Sequence, residues 1–148
     1  MTDKSEVILS HKHDVYMVHK IPKLIEKGRI ILSDQYDDLY IDLKSRVVES
    51  VLLCLPIPRI GATEDREGNL TIRSNEYILR SLVDFQEGKF RLSGLRYLQN
   101  LNGSSYEDLA GIYQNRVYDK ELDIHWIYNG KNNEVLEQMF FDSIEGDF

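Results

Sequence analysis

The sequence predicts a single α+β domain in which a small mixed sheet packs with several helices. Helical and strand-like patterns are mixed along the chain without a regular strand–helix–strand alternation, and no internal repeat or linker-like tract divides them. With 148 residues, 42% of them hydrophobic, the chain is long enough to bury one core. We expect residues 1–14 to be loose.

The first predicted elements are a short helix and a strand. Pro22 lies in the first turn of the helix and Gly28 is its C-terminal stop. A strand is then predicted over residues 29–32.

An amphipathic helix is predicted over residues 44–55 and ends at Pro56 and Pro58. Cys54 lies in this apolar run, so we expect a buried, inert thiol rather than a nucleophile, and a lone cysteine cannot form an internal disulfide. The apolar residues that recur at helical spacing are Val47, Val48, Val51, Leu52 and Leu55.

A hairpin followed by a helix is predicted in the middle of the chain. Residues 57–62 and 69–73 are extended runs on either side of a polar stretch, in which Gly68 is available for a positive φ. The next helix opens at Asn75 and is broken by Gly88. Its predicted core residues are Ile78, Leu79, Leu82, Val83 and Phe85.

The last third of the chain predicts two more helices around one strand. Ser104 and Glu107 have the spacing of a capping box and open a helix that runs to about Lys120. Residues 122–128 alternate like a strand, and residues 133–144 form a last amphipathic helix.

Charge is distributed unevenly. The net charge of −7 argues against nonspecific affinity for nucleic acid, which usually requires a basic face. Residues 132–148 contain five acids and no Lys or Arg, and therefore carry −5 of this charge. A second acidic segment consists of Asp34, Asp37, Asp38 and Asp42. Because no long apolar run and no signal-peptide pattern are present, we predict a soluble cytoplasmic protein that binds no membrane.

Common catalytic and metal-binding motifs are missing from the sequence. It contains no Gly-rich phosphate loop, CxxC pair, HExxH or GxSxG. His11 and His13 have a spacing that chelates weakly in a strand, but a loose tail is the preferred interpretation, and His125 is interpreted as a packed or surface residue. Four acids could supply oxygen ligands for Mg²⁺ or Mn²⁺, namely Asp37, Asp38, Glu76 and Glu145. Because their spacing does not force them to converge, we predict no metal and no cofactor.

Several blocks resemble the N-terminal domain of GmrSD-type modification-dependent restriction endonucleases, which belongs with the ParB/sulfiredoxin-like nucleases. The resemblance covers roughly residues 27–144 and implies a ParB/sulfiredoxin-like fold. The blocks, in order, read KGRIIL, KSRVVESVLLCLPIPRI, EDREGNLTI and LRSLVDFQEGKFRLSGLRYLQNLNGSSYEDL.

The three signature motifs of that family are replaced in this sequence. The DGQQR turn falls on residues 74–78, which puts Ser74 in place of Asp and Ile78 in place of Arg. The upstream QR pair falls on residues 36–37, and FxRxN falls on residues 141–145 without its Arg and Asn. Because phosphodiester chemistry needs cations to offset phosphoryl charge, the resemblance implies a non-catalytic domain whose active site is lost.

In the family the three motifs line one cleft, so the resemblance implies that the acids gather on one face. Acids with tyrosines between them suit docking to a basic protein surface, such as that of a nucleic-acid-binding defence effector, rather than to nucleic acid itself. By analogy we predict a phage-type inhibitor of a restriction or CRISPR effector. The predicted partner-binding residues are Asp34, Tyr36, Asp37, Asp38, Tyr40, Asp42, Glu76, Tyr77, Asp142 and Glu145.

Two alternatives stay open. A divergent nuclease or NTPase of the same family would hydrolyse nucleic acid or nucleotides with Mg²⁺ or Mn²⁺. An inactive regulatory subunit would instead pair with an active relative.

Overall fold

The described part of the chain, residues 9–33, 40–128 and 134–145 of a computed structural model, forms a mixed α+β fold, as the sequence predicts. Its strands are β1 (His11–Met17), β2 (Ile30–Ile31), β3 (Ile60–Glu64), β4 (Leu70–Ser74) and β5 (Glu121–Tyr128). Its α-helices are α1 (Ile21–Glu26), α2 (Ile41–Leu52), α3 (Glu76–Gln86), α4 (Gly111–Tyr118) and α5 (Glu134–Glu145). Short 3₁₀ turns cover Val18–Lys20, Gln99–Leu101 and Tyr106–Asp108.

The five strands form one mixed sheet in the order β1-β5-β3-β4-β2. The pairs β1/β5 and β3/β4 are antiparallel, whereas β5/β3 and β4/β2 are parallel. The β3–β4 pair is the predicted hairpin, and Gly68 in its turn has φ +83°. The strands β2 and β4 run in the same direction, so they end at the same edge of the sheet.

The two faces of the sheet carry two apolar clusters. On β5, Ile124 joins the larger cluster and Ile127 the smaller one, because alternate residues of a strand point to opposite faces. Helix α3 contributes all five of its predicted core residues to the larger cluster, which also contains residues of α2 and α4. Helix α5 covers the other face near Gly61, where an added Cβ would lie 3.0 Å from Phe141 Cδ1. The smaller cluster consists of Ile127, Phe140, Phe141 and Ile144.

Cys54 is exposed, so the prediction of a buried thiol was wrong. Helix α2 ends at Leu52, and Cys54 has a left-handed backbone with φ +58°. The amide of Leu55 then donates to the Ser50 carbonyl at 2.8 Å, as in a Schellman C-cap. This cap turns the chain away from the apolar stripe before Cys54 is reached.

Two other expectations differ from the structure. Residues 11–14, which we expected to be loose, belong to β1, which begins at His11. The helix predicted from Ser104 begins at Gly111, and the capping box before it joins Ser105 to Asp108, so it stabilises only one 3₁₀ turn. Within the described residues, no helix is both long and apolar enough to cross a membrane.

Candidate functional site

The candidate site lies at the edge of the sheet where β2 and β4 end. The chain leaves β2 through Ser33 and leaves β4 through Ser74, and α3 begins two residues later at Glu76. Asn75 between them has φ +59°, a left-handed conformation that Asn tolerates better than most residues. Its side-chain amide donates to the Arg59 carbonyl at 2.7 Å, which fixes the turn.

Glu76 is the centre of a buried polar network with Ser33 and Arg80, here called the Glu76 network. Glu76 Oε1 accepts the backbone amide of Ser33 at 2.9 Å, and Oε2 accepts the Ser33 hydroxyl at 3.1 Å. Arg80 Nε donates to Oε2 at 2.7 Å, and Arg80 Nη2 donates to the Ser33 carbonyl. Both carboxylate oxygens therefore have donors, and the Glu76 side chain is only 3% exposed.

The end of helix α5 is held against the same edge. The Ser74 hydroxyl donates to Glu145 Oε1 at 3.1 Å. Arg59 Nη2 donates to the Ser143 carbonyl at 3.3 Å, and the Arg73 guanidinium lies 5.7 Å from the centre of the Phe141 ring. The C-terminal ends of β2, β4 and α5 therefore meet at one edge of the sheet.

The positions that match the lost family motif have distinct environments. Ser74 is buried and bonded to Glu145, whereas Ile78 belongs to the core with 1% exposure. Arg80, one helical turn beyond Glu76, supplies a guanidinium here instead. That guanidinium is bonded within the Glu76 network.

The predicted partner-binding residues differ in exposure. Tyr40 is 83% exposed just before α2, and Asp42 is exposed in the first turn of that helix. Asp142 is exposed and accepts from Gln138 Nε2 at 2.9 Å, whereas Tyr77 is half-buried against the core. Glu76 is enclosed and is therefore not part of an exposed acidic surface. Outside the described residues lie Asp34, Tyr36, Asp37 and Asp38.

A cleft of about 860 Å³ adjoins the Glu76 network between α1, β2 and α3. Lys23 and Lys89 line it together with Arg80, and so do acids including Glu26 and Asp84. Asp84 is paired with Lys44 Nζ at 2.9 Å. The lining therefore carries both signs of charge.

Sequence reasoning missed Glu49, a buried acid in α2. Its carboxylate accepts three consecutive backbone amides of one loop at 2.9–3.0 Å, those of Arg96, Tyr97 and Leu98. Burial raises the pKa of Glu49, but these amides and the Arg96 charge together lower it by more, so its pKa lies below the ordinary value. A glutamate beside the apolar stripe of α2 was the available signal.

Of the four acids considered as oxygen ligands, the structure describes Glu76 and Glu145. Glu76 and Glu145 belong to no group of three convergent ligand side chains within the described part of the chain, and Asp37 and Asp38 fall outside it. The group that does converge among the described residues consists of His13 on β1 with Asp123 and His125 on β5.

Comparison with protein families, curated proteins and solved structures gave no match for this chain. The resemblance to GmrSD-type domains therefore stays a prediction from the sequence. The geometry of the described residues carries the functional argument.

Proposed function

We propose that this chain is a non-catalytic protein-binding module, derived from a ParB-like defence-nuclease domain, that docks through an acidic surface. The partner would be a basic, nucleic-acid-binding defence effector whose nucleic-acid-binding surface is blocked. The proposed acidic surface includes the exposed described residues Tyr40, Asp42, Asp142 and Glu145, and also Asp34, Tyr36, Asp37 and Asp38, which lie outside the described residues.

The observation that carries this proposal is the meeting of three segments at one edge of the sheet. Ser33, which immediately precedes the acidic segment, is bonded to Glu76, and Ser74 is bonded to Glu145 of the acidic last helix. Both contacts lie at the C-terminal end of β4. One holds the residue that precedes the acidic residues 34–38, and the other holds the last turn of the acidic helix α5. Opposite charge on a partner would speed encounter with such an edge and set its register.

The state of Arg80 supports a non-catalytic role. A site for phosphoryl chemistry needs cations directed at the phosphate oxygens. At this edge the guanidinium of Arg80 is bonded to Glu76 and to the Ser33 carbonyl, and Ile78 is in the core. The Arg80 guanidinium is therefore engaged within the protein.

The test has two stages. Affinity capture from a lysate would first identify a partner. The partner must itself bind nucleic acid and must release that nucleic acid when this protein is added. Association kinetics would then be measured with an Asp42→Lys/Asp142→Lys variant at two salt concentrations. We expect association about tenfold slower at low salt, and a smaller effect at high salt, because steering is screened over about 8 Å at physiological ionic strength.

A matched control reverses charge at a distance from the proposed surface. Glu67 lies in the hairpin turn at the opposite end of β4, and Glu107 lies in the 3₁₀ turn before α4. Both are exposed. Glu67→Lys/Glu107→Lys should leave association nearly unchanged. Equal slowing by both double variants would show a net-charge effect and would contradict a localised docking surface.

Tyr40 provides an independent test of the same surface. An exposed tyrosine that anchors an interface typically contributes about 2 kcal/mol to binding, and its removal accelerates dissociation. Tyr40→Ala should therefore raise the dissociation rate while leaving association unchanged. Tyr118, which is 41% exposed at the end of α4 and stacks on His19, is the control.

A second candidate function, a divergent nucleotide hydrolase, is favoured by the cleft beside the Glu76 network. Lys23 and Lys89 line it and are the side chains suited to phosphate oxygens. Nuclease and nucleoside-triphosphate hydrolysis would be assayed with Mg²⁺ and Mn²⁺. Hydrolysis that is lost in Lys23→Ala/Lys89→Ala but retained in Glu67→Lys would establish this function and overturn the non-catalytic proposal.

A further inference from the structure

Strands β1 and β5 bring two histidines and an aspartate onto one face of the sheet. The antiparallel register places His13 directly opposite His125, and Asp123 precedes His125 by two residues. Residues two apart on a strand share a face, so all three side chains lie on the side covered by α5. We call His13, Asp123 and His125 the histidine cluster.

The potential ligand atoms of the histidine cluster converge. His125 Nε2 lies 3.0 Å from Asp123 Oδ2, and His13 Nδ1 lies 3.7 Å from Asp123 Oδ1. One ligand atom from each of the three residues can be chosen so that all lie within 4.8 Å of one another. Around a tetrahedral Zn²⁺ with bonds of about 2.0–2.2 Å, ligand atoms are about 3.3–3.6 Å apart. A small contraction therefore produces a coordination set.

The side chains have the freedom that this contraction needs. His13 is 63% exposed and Asp123 is 41% exposed, so rotation of either meets little packing. His125 is 12% exposed and stacks on His13 with ring centres 4.8 Å apart, which fixes one side of the cluster. The cluster thus combines one fixed ligand with two adjustable ones.

One oxygen of Asp123 has no hydrogen-bond donor among the described residues. Its Oδ1 atom is fully enclosed and accepts no hydrogen bond from the described part of the chain. A buried acceptor without a donor is unfavourable, and a bound cation removes that penalty. This observation is independent of the histidine spacing and identifies the same point in space.

The surroundings of the cluster are partly apolar. The His11 ring lies 5.7 Å from the ring of Phe140 and 6.2 Å from that of His125. Helix α5 therefore reaches the cluster through His11, while the exposed His13 leaves the other side open to water.

We propose that His13, Asp123 and His125 bind one divalent first-row transition metal ion, with Zn²⁺ as the expected type, and leave at least one coordination position open. Imidazole and carboxylate ligands suit these ions, whereas Mg²⁺ and Ca²⁺ prefer all-oxygen sites. The bound ion would join the edge strand β1 to β5. Three protein ligands with an open position are also the arrangement in which Zn²⁺ activates water.

Zn²⁺ titration against a chromophoric chelator would test the proposal, with tag-free protein carrying Cys54→Ser, because the exposed Cys54 thiol is itself a zinc ligand. We expect one equivalent to bind at pH 7.5. His13→Ala and Asp123→Asn should each weaken binding at least tenfold. Mg²⁺ should not compete.

The chain supplies a matched control, because His19, one of its four histidines, lies away from the histidine cluster. His19 stacks on Tyr118 and bonds to the Tyr118 carbonyl at 2.7 Å, away from β5. His19→Ala should retain the affinity of the parent protein. Circular dichroism would show that each variant is folded, and the exposed His13 makes His13→Ala the safest of them.

A Co²⁺-loaded sample gives a second readout. Its visible absorption bands report coordination number and change when a nitrogen ligand is removed. Absence of stoichiometric Zn²⁺ binding, or binding that His13→Ala and His19→Ala weaken equally, would overturn the proposal. Binding that only the cluster variants weaken, with a matching change in the Co²⁺ spectrum, would establish it.

Discussion

The Glu76 network and the histidine cluster both place a carboxylate among basic side chains, yet they differ in how completely that carboxylate is satisfied. Glu76 is enclosed, and donors reach both of its oxygens. Asp123 is partly exposed, and one of its oxygens accepts nothing from the described residues. A closed network stabilises the fold, whereas an open one retains the capacity to bind a ligand.

The largest expected effect comes from opening the closed network. Glu76→Ala would remove the Glu76 carboxylate that contacts the Arg80 guanidinium, which is only 15% exposed, and would remove the acceptor of the Ser33 amide. Removal of one partner of a buried ion pair costs about 3 kcal/mol or more of unfolding free energy. Urea unfolding would measure the loss. Glu76→Gln, which retains the acceptor oxygen, should cost less, and equal losses for both variants would show that charge and hydrogen bonding are not the cause.

A second closed carboxylate, Glu49, gives an intermediate effect that depends on pH. Loss of its charge weakens three hydrogen bonds to the loop at residues 96–98, and we expect Glu49→Gln to cost about 2 kcal/mol at pH 7. The lowered pKa of Glu49 means that its contribution is complete above the unfolded pKa of about 4.3 and is lost as pH falls through the folded value.

Unfolding curves between pH 7 and pH 3 would measure this dependence. Glu49→Gln should lose less stability than the parent protein over the acid part of the range, because its amide does not titrate. Glu67→Gln, at an exposed turn residue, is the matched control. An acid-side slope that is the same in the parent protein and Glu49→Gln would contradict the role assigned to the carboxylate.

The smallest expected effect belongs to the open cluster. Without metal, Asp123→Asn should change the free energy of unfolding by less than about 0.5 kcal/mol, because the side chain is partly exposed and one oxygen has no donor to lose. Unfolding in a chelator would measure this value. A loss comparable to that of Glu76→Ala would show that the two carboxylates are equivalent and would remove the contrast between them.

Local patterns predicted the elements of this fold better than their boundaries. The hairpin before α3 and the buried face of that helix are confirmed because glycines and helical spacing act over a few residues. The end of α2 was misjudged because Cys54 adopts a positive φ, which few non-glycine residues do. The capping box was misplaced by one residue in a run that contains two consecutive serines.

The site residues were harder to predict because their partners are distant in sequence. Nothing near Glu76 indicates that Ser33 donates to it, and so its burial was missed. The histidine cluster depends on the register that pairs His13 with His125, which a strand pattern alone does not specify. Tyr40 and Asp42 are exposed and Glu76 is enclosed, and the sequence alone does not show which acids are enclosed.

The pairing of β1 with β5 also has a consequence for the order of folding. The register joins His11 to Ile127, so almost the whole described chain must be synthesised before β1 can find its partner. The local β3–β4 hairpin and α3 can form earlier, since contacts close in sequence close smaller loops. During synthesis on the ribosome, β1 is therefore unpaired until β5 has emerged, and we expect the charges of Lys12 and Asp14 to disfavour its aggregation.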